Sequence, residues 1–356
     1  MKKFILIVLL ALFSTHALAE NCSVSERKLA IYFSNGMFND QNDARSSLKA
    51  LIDTTMTSLK AQGYTLNYDI AYNENEVWYY QILEVFGQKQ REDWSLFYRW
   101  LGSLEVAPDW FQEAMESTSQ SISSHNYVLD ADLQSHIASY KAEIASCKRL
   151  LIVAHSQGNF YANSAWDAIY QGKAASGKYD MNRFPNIGLF SVATPAAHVG
   201  DWLLTLDDHR PITRYITLSN DWVINAVRIL SFTVLPATHT NTHDDPDWKH
   251  HAFVGSYLNG NVTGSVLVQG IQDIVGKLET LPFDRTALES TSLKSVGYLP
   301  DSKILEAEFV SDKSIYRYYN VPQATYDGLM AADSHGSYFY SNIRTSFVYK
   351  KVYDGI

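Results

Sequence analysis

The sequence predicts an α/β fold: a mostly parallel sheet flanked by helices, with an aromatic-rich helical insert and a small C-terminal α+β domain. Three observations lead there. Short apolar runs alternate with stretches of helical spacing through most of the 356-residue chain, the order that gives a parallel sheet with helices on both faces. One of those runs ends in a sharp turn of mostly small and polar residues, Ala154-His-Ser-Gln-Gly158, and passes directly into a helix. After Pro282 the pattern changes to successive β-rich runs. With 46% hydrophobic and only 19% charged residues, the chain has ample material for one large core and a smaller second one.

The elements follow in order. Met1-Lys2-Lys3, an apolar run from Phe4 to Phe13 and Ala17-Leu18-Ala19 have the layout of a secretory signal peptide over residues 1–19, cleaved after Ala19. The apolar run is too short for a permanent membrane span of about 20 residues, so a soluble protein, periplasmic or secreted, is expected. Loss of Lys2 and Lys3 takes the net charge from −9 to −11, which disfavours nucleic acid and anionic membrane as bulk electrostatic partners. In an oxidising compartment Cys22 and Cys147 are able to pair, two separate thiols being the other reading of the spacing.

A large domain is expected over 20–282. Its first strand is Lys28 to Phe33, followed by Ser34-Asn35-Gly36, a helix from Asp43 to Leu59 and a strand from Tyr64 to Ala71. Residues 76–127 then carry Trp78, Tyr79, Tyr80, Trp94, Phe97, Tyr98, Trp100, Trp110 and Phe111 at helical spacing. Such a density suits a lid over an apolar pocket, and it equally suits a plain core. A helix from Ala131 to Ala145 precedes the strand Leu150 to Val153, the turn, and a helix from Gly158 to Ile169. Further strands are expected at Ile187 to Val192 and Arg214 to Leu218. The tail, 286–353, shows β-rich runs at Leu293 to Tyr298, Ile304 to Phe309 and Ile315 to Tyr319, with a helix near Gln323 to Ala331.

The strand, turn and helix around Ser156 carry the chemistry. A tight turn projects the hydroxyl, and the following helix directs its partly positive N-terminus at a developing oxyanion. A serine alcohol needs an imidazole to take its proton and a carboxylate to fix that imidazole. Asp221, after the strand ending at Leu218, is the candidate acid, and His251 the candidate base because it abuts the apolar run Ala252 to Leu258. His250 is the second choice for the base. The backbone N–H of Gln157 and that of Met37, beside Gly36, are the candidate oxyanion donors. A second pentapeptide, Ala332-Asp-Ser-His-Gly336, lacks a preceding strand, so Ser334 is read as a loop serine.

Ile152-Val-Ala-His-Ser-Gln-Gly158, Phe190-Ser-Val-Ala-Thr-Pro195, Tyr215-Ile-Thr-Leu-Ser-Asn-Asp221 and His251-Ala-Phe-Val-Gly-Ser-Tyr-Leu258 together resemble blocks of lipase-type α/β-hydrolases and are similar to those of the class 3 lipases. The resemblance implies Ser156 as nucleophile, Asp221 as acid and His251 as base, with no cofactor and no metal. Ala154 departs from the usual glycine, and Gln157-Gly158-Asn159 from the usual Leu-Gly-Gly. In the tail, Ser292-Leu-Lys-Ser-Val-Gly-Tyr298, Ile315 to Pro322, Gly336 to Ile343 and Tyr349 to Lys351 resemble the KTSC domain, which implies a docking module for an unknown partner or a folding cap.

The expected function is therefore an exported serine esterase cleaving carboxylic, lipid or acyl esters through an acyl-enzyme. The same site is suited to an acyltransferase. A noncatalytic binding protein on this fold is a second class. Metal binding by His239, His243, Asp244, Asp245, Asp247, His250 and His251 is a third, although their spacing fits no firm metal motif.

Overall fold

The computed structural model describes residues 22–23, 27–36, 40–73, 108–110, 131–170, 179–200, 212–230, 234–242 and 244–355. The expected signal peptide, Met37, His243 and nearly all of the aromatic insert at 76–127 lie outside the described residues. The first sheet has five parallel strands: β1 (Lys28–Ser34), β2 (Thr65–Ala71), β3 (Arg149–His155), β4 (Ile187–Val192) and β5 (Thr213–Ile216), in the spatial order β2-β1-β3-β4-β5. β1, β3 and β4 are buried almost end to end, as strands covered on both faces must be. The edge strand β2 alternates exposed and half-buried residues, which fits one open side.

Helices cover this sheet. α1 (Gln41–Ala61) buries Ala44, Ser47, Leu51, Thr55 and Leu59, a stripe at intervals of three and four, and starts on a capping box between Asp40 and Asp43. α2 (Ala131–Ala145) and α3 (Gly158–Tyr170) pack on each other and on the central strands. α4 (Trp222–Leu230) follows β5, and α5 (Thr263–Val275) packs with α1. The expected elements do not include α4 and α5. α5 carries two glycines and several β-branched residues, a composition of weak helical propensity that burial of Leu267, Ile271, Ile274 and Val275 overrides.

The C-terminal unit is a second, antiparallel sheet of order β10-β9-β8-β7-β6. Its strands are β6 (Thr286–Ala287), β7 (Leu293–Leu299), β8 (Ile304–Phe309), β9 (Ile315–Tyr318) and β10 (Tyr349–Tyr353), with α6 (Gln323–Ala331) and α7 (His335–Asn342) between the last two. α7 and β10 are likewise additions to the expected elements. Leu293, Val296, Leu305, Leu329, Phe339 and Ile343 form the small core beneath the helices. Ile304, Ile315 and Val352 join the large core instead, so the sheet is covered on both faces.

A buried ionic joint ties the two units. Arg317 on β9 donates to Glu306 Oε1 at 2.7 Å, to the Thr280 carbonyl at 2.8 Å and to Glu279. Glu306 also accepts from the Phe283 N–H and from Arg285. Arg317 and Glu306 are both fully buried. Burial works against the Arg317 charge, but Glu306 and Glu279 outweigh it and hold its pKa above the ordinary guanidinium value. Exchanging Arg317 for Met takes this cation from Glu279 and leaves Glu306 with Arg285 alone, and the expected loss is about 3–5 kcal/mol in a denaturant melt. A change below about 1 kcal/mol would show that the carboxylates find other partners.

Cys22 and Cys147 form a disulfide, with Cα atoms 5.4 Å apart. Cys22 also pairs through its main chain with Pro282 and Asp284. The bond thus joins three segments beside the start of β3, while Ser156 lies just past the other end of that strand, about 20 Å away at the usual rise per residue. The C-terminal unit therefore docks at the sheet edge opposite Ser156.

Candidate active site

β3 ends at His155, and Ser156 turns the chain with a φ of 52°, a left-handed conformation that costs a non-glycine residue about 1–2 kcal/mol. The surroundings enforce it. The Ser156 N–H donates to the Val192 carbonyl at 3.0 Å, and the Asn159 side chain donates to the carbonyls of Ser156 and Val192 at 2.8 and 3.1 Å. A Cβ on Gly158 would lie 2.6 Å from the carbonyl oxygens of Ser34 and Asn35, and one on Gly36 only 2.7 Å from Ser156 Cβ. Both positions need glycine if the loop after β1 is to lie against the turn. Ala154, fully buried, fits where a glycine is commoner. Strand order reverses between β1 and β3, and crevices at such points, outside the carboxyl ends of the strands, are where open α/β sheets bind ligands.

Asp221 stands between β5 and α4 with its carboxylate fully buried. Oδ1 accepts from the Ile224 N–H at 2.9 Å and so caps the helix. The Trp222 N–H donates to the Lys249 carbonyl at 3.0 Å, which draws the loop carrying His251 over the acid. His251 Nδ1 lies 2.9 Å from Asp221 Oδ2 and 3.1 Å from Oδ1, and its Nε2 lies 2.9 Å from Ser156 Oγ. A carboxylate accepts only, so Nδ1 carries the proton and Nε2 is left to take one from the serine. This is a continuous path for proton transfer away from Ser156, the arrangement that activates a hydroxyl as a nucleophile. The N–H of Gln157 follows at the start of α3, where an oxyanion donor belongs.

Tyr257 is a further member of this site, absent from the residues expected there. It lies in a π-helical turn, Phe253–Leu258, donates to Asp221 Oδ2 at 2.7 Å and accepts from the Leu218 N–H at 3.0 Å. Burial first, and the Asp221 charge second, push its pKa well above the ordinary phenol value, so it stays a donor. Tyr257→Phe removes a hydrogen bond to a charged group and orphans a buried N–H. We expect a loss of about 1–3 kcal/mol in a urea melt and a drop in kcat of roughly tenfold or more.

The other candidates fall elsewhere. His250, the second choice for the base, turns to Asp245 at 3.2 Å. Asp247 accepts the N–H groups of His251, Ala252 and Lys249. Burial opposes its ionisation, yet these donors prevail and hold its pKa below the ordinary value. His239 Nδ1 meets the Thr238 hydroxyl. Among the described residues no three His, Cys, Asp or Glu side chains converge as a metal site. Ser334 caps α7, its Oγ accepting from the Ser337 N–H, and lies in the connection between α6 and α7 rather than after a strand.

Residues 289–347 match the model of the KTSC domain family. An uncharacterized protein of Stutzerimonas stutzeri (strain A1501) is 49% identical over 55 residues, covering 15% of this chain and 76% of that protein. The crystal structure of a KTSC domain protein from Yersinia pestis is 32% identical, over 19% of this chain and 96% of that one, with a TM-score of 0.19. Through its C-terminal unit the chain belongs to the KTSC domain family.

Proposed function

We propose that this protein is an exported serine hydrolase of the α/β-hydrolase class that cleaves carboxylic esters, lipid or acyl esters among them. The chain of hydrogen bonds from Ser156 through His251 to Asp221 carries the reading. Ser156 Oγ attacks the ester carbonyl while His251 Nε2 takes its proton. The Gln157 N–H receives the developing oxyanion. The alcohol leaves with the proton returned by His251, and water releases the acyl group from Ser156 by the same steps in reverse.

Further support comes from the order of the three residues along the chain, Ser, Asp, His, each after its own strand or loop at one sheet edge. Export is supported by the leader-like N-terminus and by a disulfide that persists in an oxidising compartment. Treatment of the mature protein with a fluorophosphonate probe, followed by mass spectrometry, tests the reading without a known substrate. Labelling is expected at Ser156 alone and absent from Ser156→Ala. No labelling of folded wild-type protein, or labelling at another serine, would sink the proposal.

A further inference from the structure

His155 takes no part in the proton path from Ser156 to Asp221, yet it touches the residue at its centre. We infer that His155 is a positioning residue for the base, its ring holding the main-chain carbonyl of His251 and thereby fixing where the imidazole meets Ser156. The inference rests on the serine hydrolase reading and adds a residue to it.

His155 Nε2 lies 2.8 Å from the His251 carbonyl oxygen. A carbonyl only accepts, so Nε2 carries the hydrogen. His155 is 3% exposed. Burial, and then the nearby His251, push its pKa down to about 3, which leaves a neutral ring with a lone pair on Nδ1. That atom has no hydrogen-bond partner among the described residues. A phenylalanine here would avoid an orphaned acceptor, so the polar ring is explained by its bond to His251.

That bond completes a clamp. The His251 N–H is held by Asp247 Oδ2 at 2.9 Å, its carbonyl by His155, and its ring by Asp221. The preceding residue, His250, has a φ of 53°, so the chain enters the base in a strained turn that needs fixing from outside. The His155 and His251 rings lie 5.0 Å apart between centroids. A neutral neighbour at that distance does not oppose the imidazolium that forms during attack.

Two variants separate positioning from packing. His155→Phe keeps the ring volume and loses the donor, whereas His155→Gln retains an amide N–H near the place of Nε2. In the mature full chain we expect His155→Phe to lower the maximal rate of fluorophosphonate labelling roughly 10–100-fold, the cost of a base about 1 Å out of place, with the probe concentration for half-maximal rate little changed. His155→Gln is expected to recover most of that rate. Labelling of His155→Phe at the wild-type rate, or an equal fall in both variants, would overturn the inference. Unlabelled wild-type protein would instead remove the hydrolase reading and this inference with it. Should His155→Phe fail to fold, the smaller His155→Leu takes its place in the comparison.

Discussion

Asp221→Asn is expected to lower kcat about 10⁴-fold, or about 5.5 kcal/mol in the barrier, with little change in KM. The reason is the proton on His251. An aspartate accepts at both oxygens, and here it takes donors from Ile224, Tyr257 and His251 at once. An asparagine able to keep the Ile224 bond turns its NH₂ towards Tyr257 and His251. His251 then presents an unprotonated Nδ1 to that amide and moves its hydrogen to Nε2, where it blocks proton transfer from Ser156. The same variant retains size and helix cap, so it is expected to fold. Rates with a simple ester, beside labelling by a fluorophosphonate, measure the effect. A fall of less than about tenfold would mean that another group sets the tautomer of His251, and the acid would have to be sought elsewhere.

Much of this site is legible in the amino-acid sequence because its residues sit where the pattern changes. Ser156 follows an unbroken apolar strand and precedes a helix. Asp221 follows another strand end, and His251 borders an apolar turn. Each of these boundaries is local and leaves a mark in the sequence. Tyr257 and Asp247 leave none, since their roles are hydrogen bonds to residues 36 and 4 positions away that only the folded loop brings together. His155 stands in plain view within the pentapeptide, but its partner is a main-chain carbonyl 96 residues on. In the fold, α5 and α7 are obscure for a related reason. Glycine and β-branched residues in α5, and serine, glycine and aromatics in α7, argue weakly for helix until packing decides. The buried pair of Arg317 and Glu306 is hidden too, for charged residues in a β-rich run read as a solvated face.

Reduction of the Cys22–Cys147 bond is expected to cost up to about 5 kcal/mol, the chain-entropy value for a loop well over 100 residues, against about 2–5 kcal/mol seen when native disulfides are removed. The bond joins residues 125 positions apart, and that loop contains β1, α1, β2 and α2, with two of the five strands of the parallel sheet. It also fixes the strand-like contact of Cys22 with Pro282 and Asp284, so its loss loosens the place where the C-terminal unit meets the sheet. Net stabilities of single domains are about 5–15 kcal/mol, which makes this one bond a large share of the total. A Cys22→Ser, Cys147→Ser pair compared with the oxidised protein in urea gives the number directly. Because the bond lies beside the start of β3 and Ser156 beyond its end, fluorophosphonate labelling at low denaturant is expected to survive its removal while the melting midpoint falls. Labelling lost at temperatures where the reduced protein is still folded would instead mean that strain at the first end of β3 is passed along the strand to the serine turn.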